Sequence, residues 1–190
     1  MALLGYMLVC SFTPGPGNIL ALNTTSTYGW KNSRRLLLGI CAGYAVVQAL
    51  CTLALCGLNQ VFCSALELLR FVGGLYMVWL AVHIVRSRPQ NAAAEGKPTF
   101  REGFLLQLVN VKIYFYISSL LTVYFIPNLS SWAALAGAGA FAVSIGCLAC
   151  LAWAFLGSGM QAFYHRHLSC INTLLGLFLL YCAGSMIVRR

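Results

Sequence analysis

The chain has 190 residues, of which 61% are hydrophobic and 8% are charged, and a formal net charge of +9. Soluble domains carry about 25% charged residues, so this composition excludes a soluble domain and indicates an all-α integral membrane protein. The basic residues lie between apolar segments rather than along one polar face, which argues against nucleic-acid binding. The length fits one transmembrane domain over residues 1–190.

The first crossing is predicted over residues 2–23, and it is interrupted. Residues 1–12 make about 18 Å of helix, whereas the hydrocarbon core is about 30 Å thick. The run that follows is Thr13-Pro14-Gly15-Pro16-Gly17-Asn18. Proline removes a backbone donor and glycine loosens a helix, and freed backbone groups in a bilayer must face a cavity or protein. We expect this run to line a site; a simple proline kink is the alternative.

A polar loop is predicted over residues 24–35, followed by a second crossing over residues 36–58. Gly39 and Gly43 in this crossing have the GxxxG spacing that allows close helix approach. We expect them to pack within the monomer, with a homodimer as the alternative.

The third crossing, over residues 65–85, contains the only acidic residue in a predicted span, Glu67; the other two acids are Glu95 and Glu102. Arg70 lies three residues after Glu67, so the two side chains can pair on one helix face. A structural ion pair is the prediction, and proton coupling is the alternative.

The fourth, fifth and sixth crossings are predicted over residues 104–126, 132–157 and 168–188. The fourth contains the polar stretch QLVNVK, with Gln107, Asn110 and Lys112. A lysine at the centre of a membrane helix costs about 2.5–3.5 kcal/mol, so Lys112 is expected to face a cavity or a partner. Snorkelling of its ammonium to the headgroups is the alternative.

The two halves of the chain have the same pattern. Each has three predicted crossings, so residues 104–190 must run inverted relative to residues 1–86, and each half has a polar interruption in its first helix. The prediction is therefore six transmembrane helices in two inverted three-helix repeats, with interrupted first and fourth helices and a site near the middle of the membrane. By charge complementarity, Lys112 would bind a substrate carboxylate, while Asn18 and freed backbone groups would hold the amino end. The predicted substrate-binding residues are Thr13, Pro14, Gly15, Pro16, Asn18, Gln107, Asn110 and Lys112.

The basic residues also predict the orientation. The loops after crossings one, three and five hold most of them: Lys31, Arg34, Arg35, Arg86, Arg88, Lys97, Arg101 and Arg166. The positive-inside rule places these loops in the cytoplasm and both termini outside. The N-terminus lacks Lys and Arg, so we expect no cleavable signal peptide.

The nine cysteines lie almost entirely in apolar segments, where cysteine behaves as a small hydrophobe, and we expect free thiols. Cys147 and Cys150 have CxxC spacing without nearby histidines or acids, so neither a metal nor a redox role is expected. No cofactor is predicted. Paired carboxylates, an HExxH motif and an intramembrane Ser/His/Asp set do not occur, which disfavours an enzyme, although a membrane-embedded enzyme and a non-transporting scaffold stay as alternatives.

Several motifs resemble the LysE/RhtB superfamily of amino-acid exporters. TPGPGN is similar to that family's TPGPNN, with Gly17 replacing the first Asn and Asn18 keeping the second. Residues 69–80 are similar to the third-helix pattern, and residues 100–112 resemble FxxGFxxxxxNPK, with Val111 where most members have proline. The NVK variant and residues 172–183 are similar to the cysteine/O-acetylserine exporter branch.

The resemblance implies a bacterial inner-membrane exporter of small amino acids, driven by the proton gradient through alternating access. Its partners would be a small amino-acid substrate and the lipid bilayer. Export of homoserine, threonine or lysine is the alternative within the superfamily.

Overall fold

The computed structural model of the protein describes residues 2–57, 59–86 and 98–188, and these residues form helices and no strands. The all-α prediction is confirmed for this part of the chain. The helices are α1 (Ala2–Phe12), α2 (Pro16–Gly57), α3 (Asn59–Arg86), α4 (Phe100–Leu108), α5 (Val111–Ser119), a π-helical segment (Leu120–Phe125), α6 (Trp132–Gly159), α7 (Gln161–Arg166) and α8 (Leu168–Val188).

Two helices in the described residues, α2 and α6, are long and apolar enough to cross a membrane. The bent pair of Phe100–Leu108 and Val111–Phe125 would form a third span, with a bend of 55°. Shorter apolar helical stretches are Leu3–Phe12, Phe71–Arg86 and Ser169–Gly184. The chain is thus a helical membrane protein, and the six-crossing arrangement stays a prediction.

The prediction of a polar loop over residues 24–35 is wrong. Residues 24–35 are helical except for Gly29, where two helices meet at a kink with φ 77° and ψ 164°. The hydroxyls of these residues are satisfied by bonds to backbone carbonyls, so the residues can lie inside packed helices. Ser33 Oγ donates to Gly29 O at 2.8 Å, and Ser26 Oγ donates to Gly157 O of α6 at 3.0 Å. Polar composition here therefore marks helix packing rather than a solvated loop.

The glycines at GxxxG spacing pack inside the chain, as predicted. Gly39 lies against the backbone of Phe100 in α4, and a Cβ added to Gly43 would lie 2.7 Å from Cβ of Gln107. Gly103 in turn lies against the backbone of Leu36. This close seam places the polar end of α4 directly beside α2, and a homodimer would have to use another surface.

Buried apolar clusters hold the helix segments on both sides of each break. One cluster contains Met7 of α1 together with Tyr116 and Ile117 of α5. Another contains Ile19 of α2 and Leu106 of α4, packed with residues of α3 and α8. The segments before and after each interruption are therefore fixed by tertiary packing, which keeps the breaks at defined positions.

Candidate functional site

The first break separates α1, which ends at Phe12, from α2, which begins at Pro16. Pro16 stands at the first helical position, where its missing N–H is not needed. Carbonyl groups released by the break are bound by side chains. Asn18 Nδ2 donates to Ser11 O at 2.8 Å and to Thr13 O at 3.1 Å, and Trp153 Nε1 donates to Phe12 O at 3.1 Å. The interruption predicted from the Pro-Gly run is confirmed.

The second break separates α4, which ends at Leu108, from α5, which begins at Val111. It forms without a proline: Asn110 leaves the helical conformation with φ −82° and ψ 86°. Gly73 of α3 accommodates the bend, since a Cβ added there would lie 2.5 Å from Val109 O. The predicted interruption of the fourth crossing is confirmed, and its position depends on tertiary packing rather than on proline.

Two buried amides occupy this second break. Asn110 Nδ2 donates to Gln107 Oε1 at 2.7 Å, and the two residues are only 4% and 3% exposed. The Oδ1 atom of Asn110 is buried and has no hydrogen-bond partner among the described residues. Buried polar atoms are normally hydrogen-bonded, so this oxygen is an acceptor available to a bound molecule.

The two breaks contact each other. Lys112 Nζ donates a hydrogen bond of 2.7 Å to Thr13 O. A Cβ added to Gly15 would lie 2.8 Å from Cδ of Lys112, and one added to Gly17 would lie 3.2 Å from Oε1 of Gln107. The glycines of the first break thus leave room for the long polar side chains of the second.

A small cavity of about 30 Å³, measured as the space open to the centre of a water molecule, lies where the breaks meet. The predicted residues that line it are Gly15, Asn18, Gln107, Asn110 and Lys112. Thr13, Pro14 and Pro16 are not part of its wall: Thr13 contributes its carbonyl to Lys112 and Asn18, and the prolines belong to the break itself.

Sequence reasoning missed the rest of the wall. These residues come from α1, α2, α5 and α6: Cys10, Ser11, Gly17, Ile40, Cys41, Tyr44, Ile113, Tyr116, Gly146, Cys147 and Cys150. The CxxC spacing singled out Cys147 and Cys150, and Gly17 stood within the TPGPGN run. The others carry no local signal, because helix packing alone brings them to the cavity.

Lys112 brings an uncompensated positive charge to the cavity. In the described part of the chain no carboxylate pairs with it, and Glu102 instead forms a capping box with Thr99 at the start of α4. An ammonium has three donor hydrogens, and the bond to Thr13 O uses one. The geometry is suited to binding an anionic group. The side chains of Glu67 and Arg70 lie outside the described residues, so their predicted pairing stays a prediction.

A helical membrane protein in which two broken helices meet at a polar cavity has the architecture of a membrane transporter. The chain belongs to the LysE family: the family described as LysE type translocator matches residues 8–190. Curated relatives named "Cysteine/O-acetylserine efflux protein" from Escherichia coli strain K12, Escherichia coli O157:H7 and Shigella flexneri are each 34% identical over 179 residues. The alignments cover 94% of this chain and 92% of each relative. No solved structure matches the chain. The family and branch resemblances inferred from the motifs are confirmed.

Proposed function

We propose that this protein exports cysteine and O-acetylserine across the bacterial inner membrane. The observation that carries the proposal is the meeting of two broken helices at a cavity lined by Lys112, whose charge no carboxylate of the described residues pairs. The relatives named as cysteine/O-acetylserine efflux proteins support the substrate class, because their sequences are 34% identical to this chain over most of its length.

In the proposed complex, the substrate carboxylate binds the ammonium of Lys112. The substrate ammonium donates to Oδ1 of Asn110 and to carbonyl groups of the first break, which Asn18 holds in place. A buried acceptor without a partner costs about 1–3 kcal/mol, and a bound ammonium removes this cost.

Transport would proceed by alternating access between two inverted repeats, over residues 1–86 and 104–190, with six crossings in all. The contact between Lys112 and Thr13 supports this arrangement, because it joins the interrupted helix of one repeat to that of the other. The positive-inside bias supports both termini on the periplasmic side. Proton coupling through Glu67, with Arg70 beside it, is part of the proposal; the test is whether Glu67→Gln abolishes the dependence of transport on a pH gradient.

The decisive experiment is transport by the purified full chain in proteoliposomes. Labelled cysteine, O-acetylserine, homoserine, threonine and lysine are compared, with Lys112→Ala beside the native protein and Lys31→Ala as an exposed-lysine control. Movement of the first two substrates that is lost only in Lys112→Ala is the expected result. Movement of another amino acid would support the exporter function and overturn the proposed substrates. Chemical conversion without movement would favour an enzyme, and no movement at all would overturn the proposal.

A further inference from the structure

Three thiols line the cavity from two different helices. Cys41 comes from α2, and Cys147 and Cys150 come from α6. All three residues line the same cavity of about 30 Å³, so the thiols of Cys41 and Cys147 share one small space. All three are free thiols, and no group of three or more His, Cys, Asp or Glu in the described residues has the geometry to hold a metal ion. The cluster is therefore a set of neighbouring thiols at the site and not a metal centre.

Close helix packing brings these thiols together. Gly146, the residue before Cys147, lies against the ring of Tyr44, and a Cβ added there would lie 2.6 Å from Cε1 of that ring. This small residue allows α6 to approach α2 at the level of Cys41. Cys41 and Cys147 are partly exposed, whereas Cys150 is buried. A small molecule in the cavity therefore reaches Cys41 and Cys147 more readily than Cys150.

We propose that Cys41 and Cys147 form a reversible disulfide when a peroxide enters the cavity. One thiol, as its thiolate, attacks a peroxide oxygen; the O–O bond breaks, the thiol becomes a sulfenic acid, and the first water leaves. The second thiol attacks that sulfur, the S–S bond forms, and the sulfenic oxygen leaves as the second water. Two thiols are oxidised by two electrons in total, and hydrogen peroxide is reduced to two water molecules. A dithiol reductant reverses the reaction.

The consequence rests on the proposed function. Cys41 belongs to the first proposed repeat and Cys147 to the second, so the disulfide would cross-link the two bodies that must move during alternating access. Export would stop under oxidation and resume after reduction. Both residues line the cavity, so the transport of each variant after peroxide is compared with its own transport before treatment.

The test uses the full chain in proteoliposomes, treated with hydrogen peroxide and then with a thiol-blocking maleimide. Mass spectrometry of the unreduced digest detects the cross-link, and transport is followed with O-acetylserine, which has no thiol to consume the oxidant. We expect a Cys41–Cys147 linked peptide, with transport reduced to the level of protein-free liposomes and recovery of both signals after dithiothreitol. Cys41→Ser and Cys147→Ser should each transport at the same rate before and after peroxide, so one variant serves if the other fails to fold.

The matched control is Cys170→Ser, which removes an exposed thiol of α8 outside the cavity and should behave like the native protein. A folded protein that forms no Cys41–Cys147 link, or links Cys41 to Cys150 instead, would overturn the assigned pair. A disulfide that forms but leaves transport unchanged would overturn the proposal that oxidation stops export. Untreated protein that does not transport O-acetylserine would contradict the proposed function, while the linked peptide would still decide the disulfide.

Discussion

The ammonium of Lys112 lies 2.7 Å from the carbonyl oxygen of Thr13, and this bond connects the second interrupted helix to the break in the first. The two residues are separated by 99 positions in sequence. Because the break leaves Thr13 O without its helical donor, the lysine stabilises the first interruption while its own remaining hydrogens face the cavity. The Lys112 side chain thus stabilises the break and still has donor hydrogens that can bind a substrate.

Replacing Lys112 with methionine should abolish high-affinity transport while keeping the protein folded. Hydrogen bonds to charged groups contribute about 1.5–3 kcal/mol, so the loss of the carboxylate contact should raise KM by about tenfold or more. Removing a half-buried charge should not lower the thermal unfolding temperature strongly, because desolvation of that charge opposes folding. Uptake kinetics and unfolding in detergent measure the two effects separately. Unchanged KM in a folded Lys112→Met variant would contradict the site.

Gly15→Ala should impair transport because the added methyl group displaces the side chain of Lys112. The new Cβ would lie 2.8 Å from Cδ of the lysine, so the side chain has to shift. The free energy of unfolding should change little, because the atoms that must move belong to the flexible end of the lysine side chain. Gly5→Ala and Gly137→Ala are matched controls, because nothing lies within 4 Å of a Cβ added at either position. Equal transport rates in Gly15→Ala and the two controls would argue against close contact of the breaks.

Asn110→Ala should weaken recognition of the substrate amino group. In the native protein we expect cysteine, but not N-acetylcysteine, to compete with O-acetylserine, because the acetylated nitrogen has lost its charge and donors. The variant removes the Oδ1 acceptor, so this discrimination should fall by about tenfold, which corresponds to roughly 1.4 kcal/mol. Competition curves for the two compounds measure the ratio. A ratio that the variant leaves unchanged would place the amino group elsewhere.

Gly29→Ala should destabilise the protein. Residue 29 has φ 77° and ψ 164°, a conformation open essentially only to glycine, and a side chain there costs about 1–3 kcal/mol. Thermal unfolding in detergent should show a lower midpoint than for Gly159→Ala, where an added Cβ meets nothing within 4 Å. Equal midpoints for the two variants would mean that the kink at residue 29 can change its conformation without a cost in the free energy of unfolding.

Local chemistry made part of this protein readable from its sequence. The apolar composition predicted membrane helices, and the prolines and glycines between Thr13 and Asn18 predicted the first break, because a missing N–H acts wherever the residue lies. The polar stretch with Gln107, Asn110 and Lys112 predicted the second break for a similar reason: unpaired polar groups are costly inside a bilayer. The same reasoning failed at residues 24–35, where buried hydroxyls bond to helix carbonyls.

The sequence by itself therefore determined the helical membrane class, the two interruptions and the polar residues that belong to them. Only the tertiary structure decided that Lys112 bonds to Thr13, that Cys41 and Cys147 line one cavity, and that residues 24–35 are helical on both sides of a kink at Gly29. The physical reason is the range of the interactions. Proline, glycine and hydropathy act on the backbone nearby, whereas contacts between distant helices depend on which small residues let their surfaces approach.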